Sequence, residues 1–285
     1  MTANARLTRI AGLAVALLVS AGPGLAAGED ELTGLINAYR AEARSCGGER
    51  LPATGALAPA PALASVRMAG GQDLGVALKA AGYPAAAASV ISVSGPPSAA
   101  AALLSMKDRY CRDLLDARWS EIGVARSGDT WRVVMARPLL ADDLGDWQAA
   151  GKEVLKRVNA ARSSARRCGD RSFVAVGPLT WSPPLAEAAL AHSRDMAERN
   201  YFDHVGAQGG SAAQRATRAG YAWKTIGENI AAGQGAPEQV VAGWLASPGH
   251  CANIMGADFA EMGAAYATNP GSDRFVYWTQ VFGRR

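Results

Sequence analysis

The chain has 285 residues, of which 49% are hydrophobic, and its formal net charge at pH 7 is +4. This length allows two compact domains with hydrophobic cores. Two of the basic residues, Arg6 and Arg9, lie in a leader that we expect to be removed, and the other lysines and arginines form no basic stripe. The composition therefore argues against a protein that binds nucleic acid.

The first 27 residues have the pattern of a secretory signal peptide. Arg6 and Arg9 form a basic region, an apolar run follows at 10–19, and small residues precede a cleavage point after Ala26 or Ala27. The alternative, an uncleaved membrane anchor, needs a longer apolar run. No cysteine lies near the cleavage point to carry a lipid. We therefore expect a secreted or periplasmic protein that has no transmembrane anchor after signal cleavage.

The rest of the chain contains the same order of segments twice. LINAYRAEARSCGG in the first copy resembles RVNAARSSARRCGD in the second, and CRDLLDARWSEIGVA resembles CANIMGADFAEMGAA. Other similar segments lie between and after these pairs in the same order. Self-similarity of this kind indicates a tandem duplication. We predict a degenerate first domain at 30–141, a linker at 142–151 and a second domain at 152–285.

The four cysteines fall at matching places in the two copies. In an exported chain they are expected to form two disulfides, and four cysteines allow three connectivities. Only the pairing of Cys46 with Cys111 and of Cys168 with Cys251 repeats one bridge in each copy. His250 stands beside Cys251, but this pairing leaves no free thiol for the imidazole to activate.

Helices and a β-hairpin are predicted in the second copy. Residues 152–167 have a helical apolar pattern, and a second helix is predicted to follow Ser182 as N-cap, with Pro183 at its first position. A third short helix, PEQVVAGWLA, is followed by the turn SPGH. EMGAAYA and RFVYWTQVF then form a hairpin, which EIGVARSGDTWRVVMA matches in the first copy. These elements predict an α+β fold.

The three histidines of the chain, His192, His204 and His250, all lie in the second copy. The first copy has glycine and tyrosine at two matching positions and lacks the segment with His204. Glu228, in IGENIA, is matched by Val90. A side chain needed only for folding should recur in both copies, so these polar residues form a candidate site. His192 lies on an apolar helix stripe and is interpreted as a buried residue that packs beneath it.

Five motifs occur in order within residues 152–285: HSRDMAERNYFDH, GENIA, WLASPGHCANIM, EMGAAYA and YWTQVFG. This stretch resembles bacterial, SCP-like members of the CAP superfamily, which contains cysteine-rich secretory proteins, antigen 5 and plant pathogenesis-related proteins. The resemblance implies an α-β-α sandwich and, together with the repeat, two tandem sandwiches of which the first is degenerate. It also implies secretion and a cleft in which two histidines and two acidic residues can hold a divalent ion.

Residue by residue, the resemblance assigns His204 and Glu228 to two of the four cleft positions. Ser247 occupies the second acidic position and Tyr277 the second histidine position, so two of the four metal ligands are absent. His250, in the SPGH segment, is expected to line part of the same cleft.

His204, Glu228 and His250 together offer two nitrogens and one oxygen to a zinc ion, with one position open for water. The sequence contains no HExxH spacing and no serine in a GxSxG context. We therefore favour an exported protein that binds a small, lipid-like or cell-envelope ligand in the cleft, without efficient catalysis or an obligatory cofactor. The alternative is a metal-assisted, peptidase-like hydrolase that uses these three residues. The sequence does not indicate an oligomeric state.

Overall fold

The computed structural model describes residues 23–68, 72–139 and 145–285. Most of the predicted signal peptide, up to residue 22, lies outside the described residues, as do Gly70 and the predicted linker positions 142–144. The first described helix begins at Pro23 and runs through the predicted cleavage point. Among the described residues, no helix combines the length and the apolar composition needed to cross a membrane.

The helices and strands follow the same order in the two halves of the chain. The elements of the first half are α1 (Pro23–Arg40), β1 (Arg44–Cys46), β2 (Glu49–Leu51), β3 (Ala58–Pro59), α2 (Pro61–Ala64), α3 (Leu74–Ala80), β4 (Ala85–Ser94), α4 (Ala99–Arg109), α5 (Cys111–Leu114), β5 (Glu121–Ser127) and β6 (Thr130–Pro138). The elements of the second half are α6 (Trp147–Arg162), β7 (Arg166–Cys168), β8 (Arg171–Phe173), β9 (Thr180–Trp181), α7 (Pro183–Arg199), α8 (Ala212–Arg218), β10 (Thr225–Ala232), α9 (Pro237–Leu245), α10 (Pro248–Ile254), β11 (Glu261–Thr268) and β12 (Val276–Arg284).

Each half contains a four-stranded sheet with the same strand order. The order is β3-β5-β6-β4 in the first half and β9-β11-β12-β10 in the second. In both sheets the two-residue edge strand pairs in parallel, and the remaining pairs are antiparallel. Each half also contains a separate small hairpin, β1-β2 or β7-β8. The predicted hairpins are thus confirmed as β5-β6 and β11-β12.

The second sheet is covered by helices on both faces, because successive residues of a strand point to opposite sides. On one face Met262 and Trp278 pack with Val154 of α6 and Trp244 of α9. On the other face the alternating residues of β11 and β12 pack against α7. This arrangement is the expected α-β-α sandwich.

The first sheet is covered less evenly. Helices α1 and α4 pack on one face, where Leu32, Ile36 and Trp131 belong to one buried cluster. The other face is covered by the short helices α2 and α3, at the place where the second half has the seventeen-residue helix α7. The α+β class and the α-β-α layering predicted from the sequence are confirmed.

Buried polar side chains make equivalent contacts in the two halves. Asn37 hydrogen-bonds both backbone groups of Leu57, as Asn159 does with Leu179. Arg40 in the first half and Arg162 in the second both donate hydrogen bonds to backbone carbonyls. The hydroxyl of Tyr83 donates to the carboxylate of Glu121, and the hydroxyl of Tyr221 donates to that of Glu261 in the same way. A tandem duplication predicts such repeated contacts, and the division into two domains remains an inference from the repeat.

The two halves pack directly against each other. Helix α9 lies on β3, where the Cβ of an alanine at Gly243 would lie 3.4 Å from the Cα of Ala58. The fully buried Gln234 donates from Nε2 to the carbonyls of Ala56 and Ser120 in the first half, at 3.2 and 3.1 Å. We call this contact region the seam.

Both predicted disulfides are present, joining Cys46 to Cys111 and Cys168 to Cys251. The second bridge ties α10 to the β7-β8 hairpin. Cys251 is therefore a structural residue and does not act as a nucleophile.

Three local expectations differ from the structure. The helix expected at 152–167 runs from Trp147 to Arg162, because Asp146 accepts a hydrogen bond from Ala149 N and so caps it within the predicted linker. The SPGH segment is not a turn but the start of α10, since proline is well tolerated at a first helical position. Ser182 does precede α7, but its side chain makes no capping hydrogen bond.

Candidate functional site

Glu228, His204 and Arg215 form the centre of the candidate site. Glu228 lies in β10 and is 8% exposed. His204 Nδ1 donates to Glu228 Oε1 at 2.8 Å, and Arg215 Nη2 donates to Glu228 Oε2 at 2.6 Å. Arg215 Nη2 also donates to the carbonyl of His204. The carboxylate thus holds the loop after α7 and helix α8 against the sheet.

The strand register explains why the first half lacks this carboxylate. Glu228 pairs with Val281 across the sheet, and Val90 pairs with Val134 at the equivalent position of the first sheet. The position therefore exists in both sheets, and only the second has an ionisable side chain there. This placement agrees with the match of Glu228 to Val90 made from the sequence.

The partners of Glu228 keep it ionised. Burial alone would raise the pKa of this carboxyl group, but the hydrogen bond from His204 and the charges of Arg215 and His192 outweigh it and lower the pKa. An ionised carboxylate is an acceptor only, so the proton of the contact is on His204 Nδ1. Nε2 of a neutral His204 is then an acceptor, on a side chain that is 55% exposed.

His192 lies directly beneath this pair. Its side chain is fully buried on α7, and its Nε2 lies 2.9 Å from the carbonyl oxygen of Asp203 and 3.9 Å from Glu228 Oε1. Burial, the largest cause, lowers the pKa of His192 despite the nearby carboxylate. As predicted, it is a buried residue that packs beneath the site.

His250 approaches the site from α10. Its carbonyl accepts a hydrogen bond from the side chain of Asn229, and Asn253 of the same helix donates to the carbonyl of Glu228. Burial and the charge of His204 lower the pKa of His250 to about 4, so this imidazole is neutral at pH 7. Its Nδ1 is buried and has no hydrogen-bond partner among the described residues.

Ser247 and Tyr277 have structural surroundings. Ser247 is buried at the N-cap of α10, although its side chain makes no capping hydrogen bond. The Tyr277 ring packs in a buried cluster with Met196 and Ile230, and its hydroxyl donates to Asn200 Oδ1 at 3.2 Å. Neither residue makes a recorded contact with His204 or Glu228, so the expectation that they line the cleft gains no support from these contacts.

The donor set does not fit a metal ion. Within the described ranges, no group of three or more His, Cys, Asp or Glu side chains is arranged to hold one. Glu228 Oε1 and Oε2 already accept hydrogen bonds from His204 and Arg215, and a guanidinium beside the carboxylate opposes a second cation. The proposed trio of His204, Glu228 and His250 therefore does not form a zinc site, and a metal-assisted hydrolase has no geometric support.

Two further serines near the site, Ser193 and Ser211, have hydroxyls engaged in structural hydrogen bonds. Ser193 is fully buried and donates to the carbonyl of Ala265 or to Thr279 Oγ1. Ser211 forms a capping box with Gln214 at the start of α8. Neither hydroxyl is placed beside an imidazole, so nothing in these contacts indicates a serine hydrolase.

Sequence reasoning did not identify Arg215, Asn229 or Asn253. Arg215 lies in the segment, absent from the first half, that also contains His204. That shared absence is the signal that could have identified it. Asn229 and Asn253 lie inside the motifs GENIA and WLASPGHCANIM, and the asparagines bond to each other at 2.9 Å. They join α10 to the strand that carries Glu228.

Comparison with known proteins places the second half of the chain in a family. Residues 155–282 match the family model described as CAP, the cysteine-rich secretory protein family. "Uncharacterized protein YkwD" of Bacillus subtilis (strain 168) is 37% identical over 131 residues, which are 46% of each chain. "Uncharacterized membrane protein YlbC" of the same strain is 38% identical over 107 residues, which are 38% of this chain and 29% of YlbC. The chain thus spans less than half the length of these relatives.

A solved structure shows a related but weaker similarity. An extracellular protein containing an SCP domain from Bacillus anthracis str. Ames aligns with a TM-score of 0.42 and 25% identity. The alignment covers 55% of this chain and 52% of that protein.

Proposed function

Since residues 155–282 are a domain of the cysteine-rich secretory protein (CAP) family, we propose that this domain is a binding module whose contact group is His204. The observation that carries this proposal is the contact between the exposed imidazole of His204 and the buried, ionised carboxylate of Glu228. The ligand is a small, lipid-like or cell-envelope molecule with a polar group that donates to His204 Nε2. The first half acts as a structural or interaction module.

The arrangement suits binding because it fixes the imidazole in one orientation. Glu228 holds Nδ1, and the hydrogen bond from Arg215 to the His204 carbonyl holds the backbone of the same residue. An acceptor that is already oriented loses little conformational entropy when a ligand arrives.

We propose that the protein acts outside the cytoplasm. The leader pattern and the two disulfides support export, since disulfides persist in oxidising compartments. The Bacillus subtilis relatives are both described as uncharacterized, so they suggest no activity for this chain. The ligand class is therefore inferred from the site and from the family resemblance.

The proposal is tested by equilibrium titration of the full chain with palmitate, cholesterol and a soluble muropeptide as probes. At least one probe is expected to bind saturably, and His204→Gln is expected to weaken that binding about tenfold, as loss of one hydrogen bond to the ligand does. Val205→Ala is the matched control, because Val205 is the exposed neighbour of His204 and should bind normally. Saturable binding of no probe, or equal binding by His204→Gln, would refute the proposal.

A further inference from the structure

A second concave region adjoins Arg215. It is a cavity of about 620 Å³ between α7, the loop at 206–209 and α8. This volume falls within the range of small-molecule sites. Its lining shares Arg215 with the candidate site but does not include His204, Glu228 or His250, so the cavity adjoins that site without containing its proposed contact group.

Three arginines line the cavity, and their charges are balanced to different degrees. Arg199 pairs with Asp195 at 2.8 Å, and Arg215 pairs with Glu228. Asp195 also accepts hydrogen bonds from the Tyr201 hydroxyl and from Ala207 N, so its oxygens are already engaged. The charge of Asp195 is thus already balanced by its ion pair with Arg199.

Arg218 is the third arginine of the lining, and its charge is not balanced by an ion pair with any described residue. It is exposed, and it forms no ion pair or hydrogen bond with any residue in the described part of the chain. Its Nη2 would lie 3.3 Å from a Cβ at Gly210, which has a φ of +106° that disfavours any side chain. The guanidinium thus lies over the glycine loop, at the end of the cavity near Asp195.

The rest of the lining makes the two ends of the cavity chemically different. Ala188, Ala191 and Ala219 form apolar walls. Glu187 lies at the far end, eight residues before Asp195 on α7, which corresponds to about 12 Å of helix rise. Its carboxylate disfavours an acidic group there. Arg215 Nε is buried without a hydrogen-bond partner among the described residues, which adds unsatisfied donor capacity to the wall.

We propose that this cavity binds a small organic anion that has a single carboxylate or phosphate group and an apolar body. The acid group pairs with the guanidinium of Arg218, which suits carboxylate and phosphate oxygens alike. The apolar body lies along the alanines and points toward Glu187. The site is independent of the ligand proposed for His204, so either proposal can fail without the other.

The test is a calorimetric or NMR titration of the full chain at constant ionic strength with benzoate, phenyl phosphate and the neutral analogue benzyl alcohol. At least one anion is expected to bind saturably, and to bind about tenfold or more tightly than benzyl alcohol. Arg218→Gln should weaken the anion by a similar factor. Arg194→Gln, which removes an exposed charge from α7 at a position that does not line the cavity, should not.

Each outcome decides the question. Binding of only one anion supports the site and identifies its acid group. Absence of saturable binding by both anions, equal binding of benzyl alcohol, or equal binding by Arg218→Gln and wild type overturns the proposal. An unchanged His204 ring signal in Arg218→Gln would show that the neighbouring site is still folded.

Discussion

Glu228 lies in β10 and accepts hydrogen bonds from His204, in the loop after α7, and from Arg215 of α8, so it links three parts of the domain. A buried ion pair of this kind contributes little when complete, but removing one partner leaves the other charge buried alone. Arg215 is 6% exposed, so it has no easy route to water. The pair therefore determines how the loop with His204 is held.

We expect Glu228→Gln to lower the free energy of unfolding at pH 7 by about 3 kcal/mol, since it leaves the charge of Arg215 uncompensated. A carboxyl group whose pKa is lowered by folding stabilises the native state above its ordinary pKa of 4.5 and loses that effect as pH falls. The difference between wild type and variant should therefore shrink below pH 4.5. Urea unfolding at several pH values measures it, with Glu187→Gln as the exposed control.

The lowered pKa of His250 predicts that stability also depends on pH in a second, higher range. Its pKa is about 4 in the folded chain, against an ordinary value of 6.5, so the unfolded chain binds more protons between these values. Stability should fall as pH drops from 6.5 to about 4, by at most about 1.4 kcal/mol per pH unit. This figure is an upper limit for the titration of one group. His250→Asn should reduce the slope, and an unchanged slope would contradict the assignment.

At the residue scale, the sequence identified His204 and Glu228 but not the contacts that orient them. The absence of these two residues from the first copy is visible in the sequence without a structure. Arg215 was missed because a lone arginine on a short polar helix usually faces solvent. Only the tertiary structure shows that Arg215 on α8 lies against the carboxylate of Glu228.

The elements are held together at a few close backbone contacts. An alanine Cβ at Gly263 in β11 would lie 2.0 Å from the backbone nitrogen of Ala186 in α7. An alanine Cβ at Gly123 in β5 would likewise lie 2.1 Å from the backbone nitrogen of Ala64 in α2. These glycines allow a helix to start directly on a strand in each sheet.

Gly263→Ala is expected to destabilise the protein by about 3 kcal/mol or more, because backbone atoms cannot move aside as a flexible side chain can. Gly123→Ala should have a similar effect. The matched control is Gly177→Ala, at which an added Cβ meets nothing within 4 Å. Thermal or chemical unfolding would show the difference, and equal stability of Gly263→Ala and Gly177→Ala would refute this packing.

The sequence predicts whether each element is a helix or a strand better than it predicts the residues at which the element begins and ends. The apolar periodicity of α7 and the alternation in β11 and β12 follow from burial of one face or one side. The start of α6 depends on a cap at Asp146, and the start of α10 on Pro248, which had been interpreted as a helix terminator. A proline fits both roles in a sequence, and only its neighbours in space decide between them.

For the whole molecule, the seam is the main new feature. Gln234 connects the halves by two buried hydrogen bonds, and Gly243 brings α9 against β3. Phe202, two residues before His204, lies 3.5 Å from the Cβ that an alanine at Gly55 would have. The first half therefore packs against the loop that leads to the candidate site.

We expect the two halves to unfold in one calorimetric transition, since buried contacts cross the seam. Gln234→Ala leaves the carbonyls of Ala56 and Ser120 without this donor and should cost about 2 kcal/mol or separate the transition into two. Gln148→Ala, at an exposed position, should leave the transition unchanged. If Gln234→Ala also had no effect, the halves would not be coupled through this residue.

The sequence by itself determined the α+β class, both disulfides and the paired hairpins, because these follow from local periodicity and from comparing one half of the chain with the other. The same comparison identified His204 and Glu228 as candidates, and the family resemblance assigned both to one cleft. Tertiary structure decided that Arg215 pairs with the carboxylate of Glu228, where its charge opposes a metal ion, and that the halves share a buried seam. Such features depend on which side chains converge from distant parts of the chain, and no spacing along the sequence specifies that convergence.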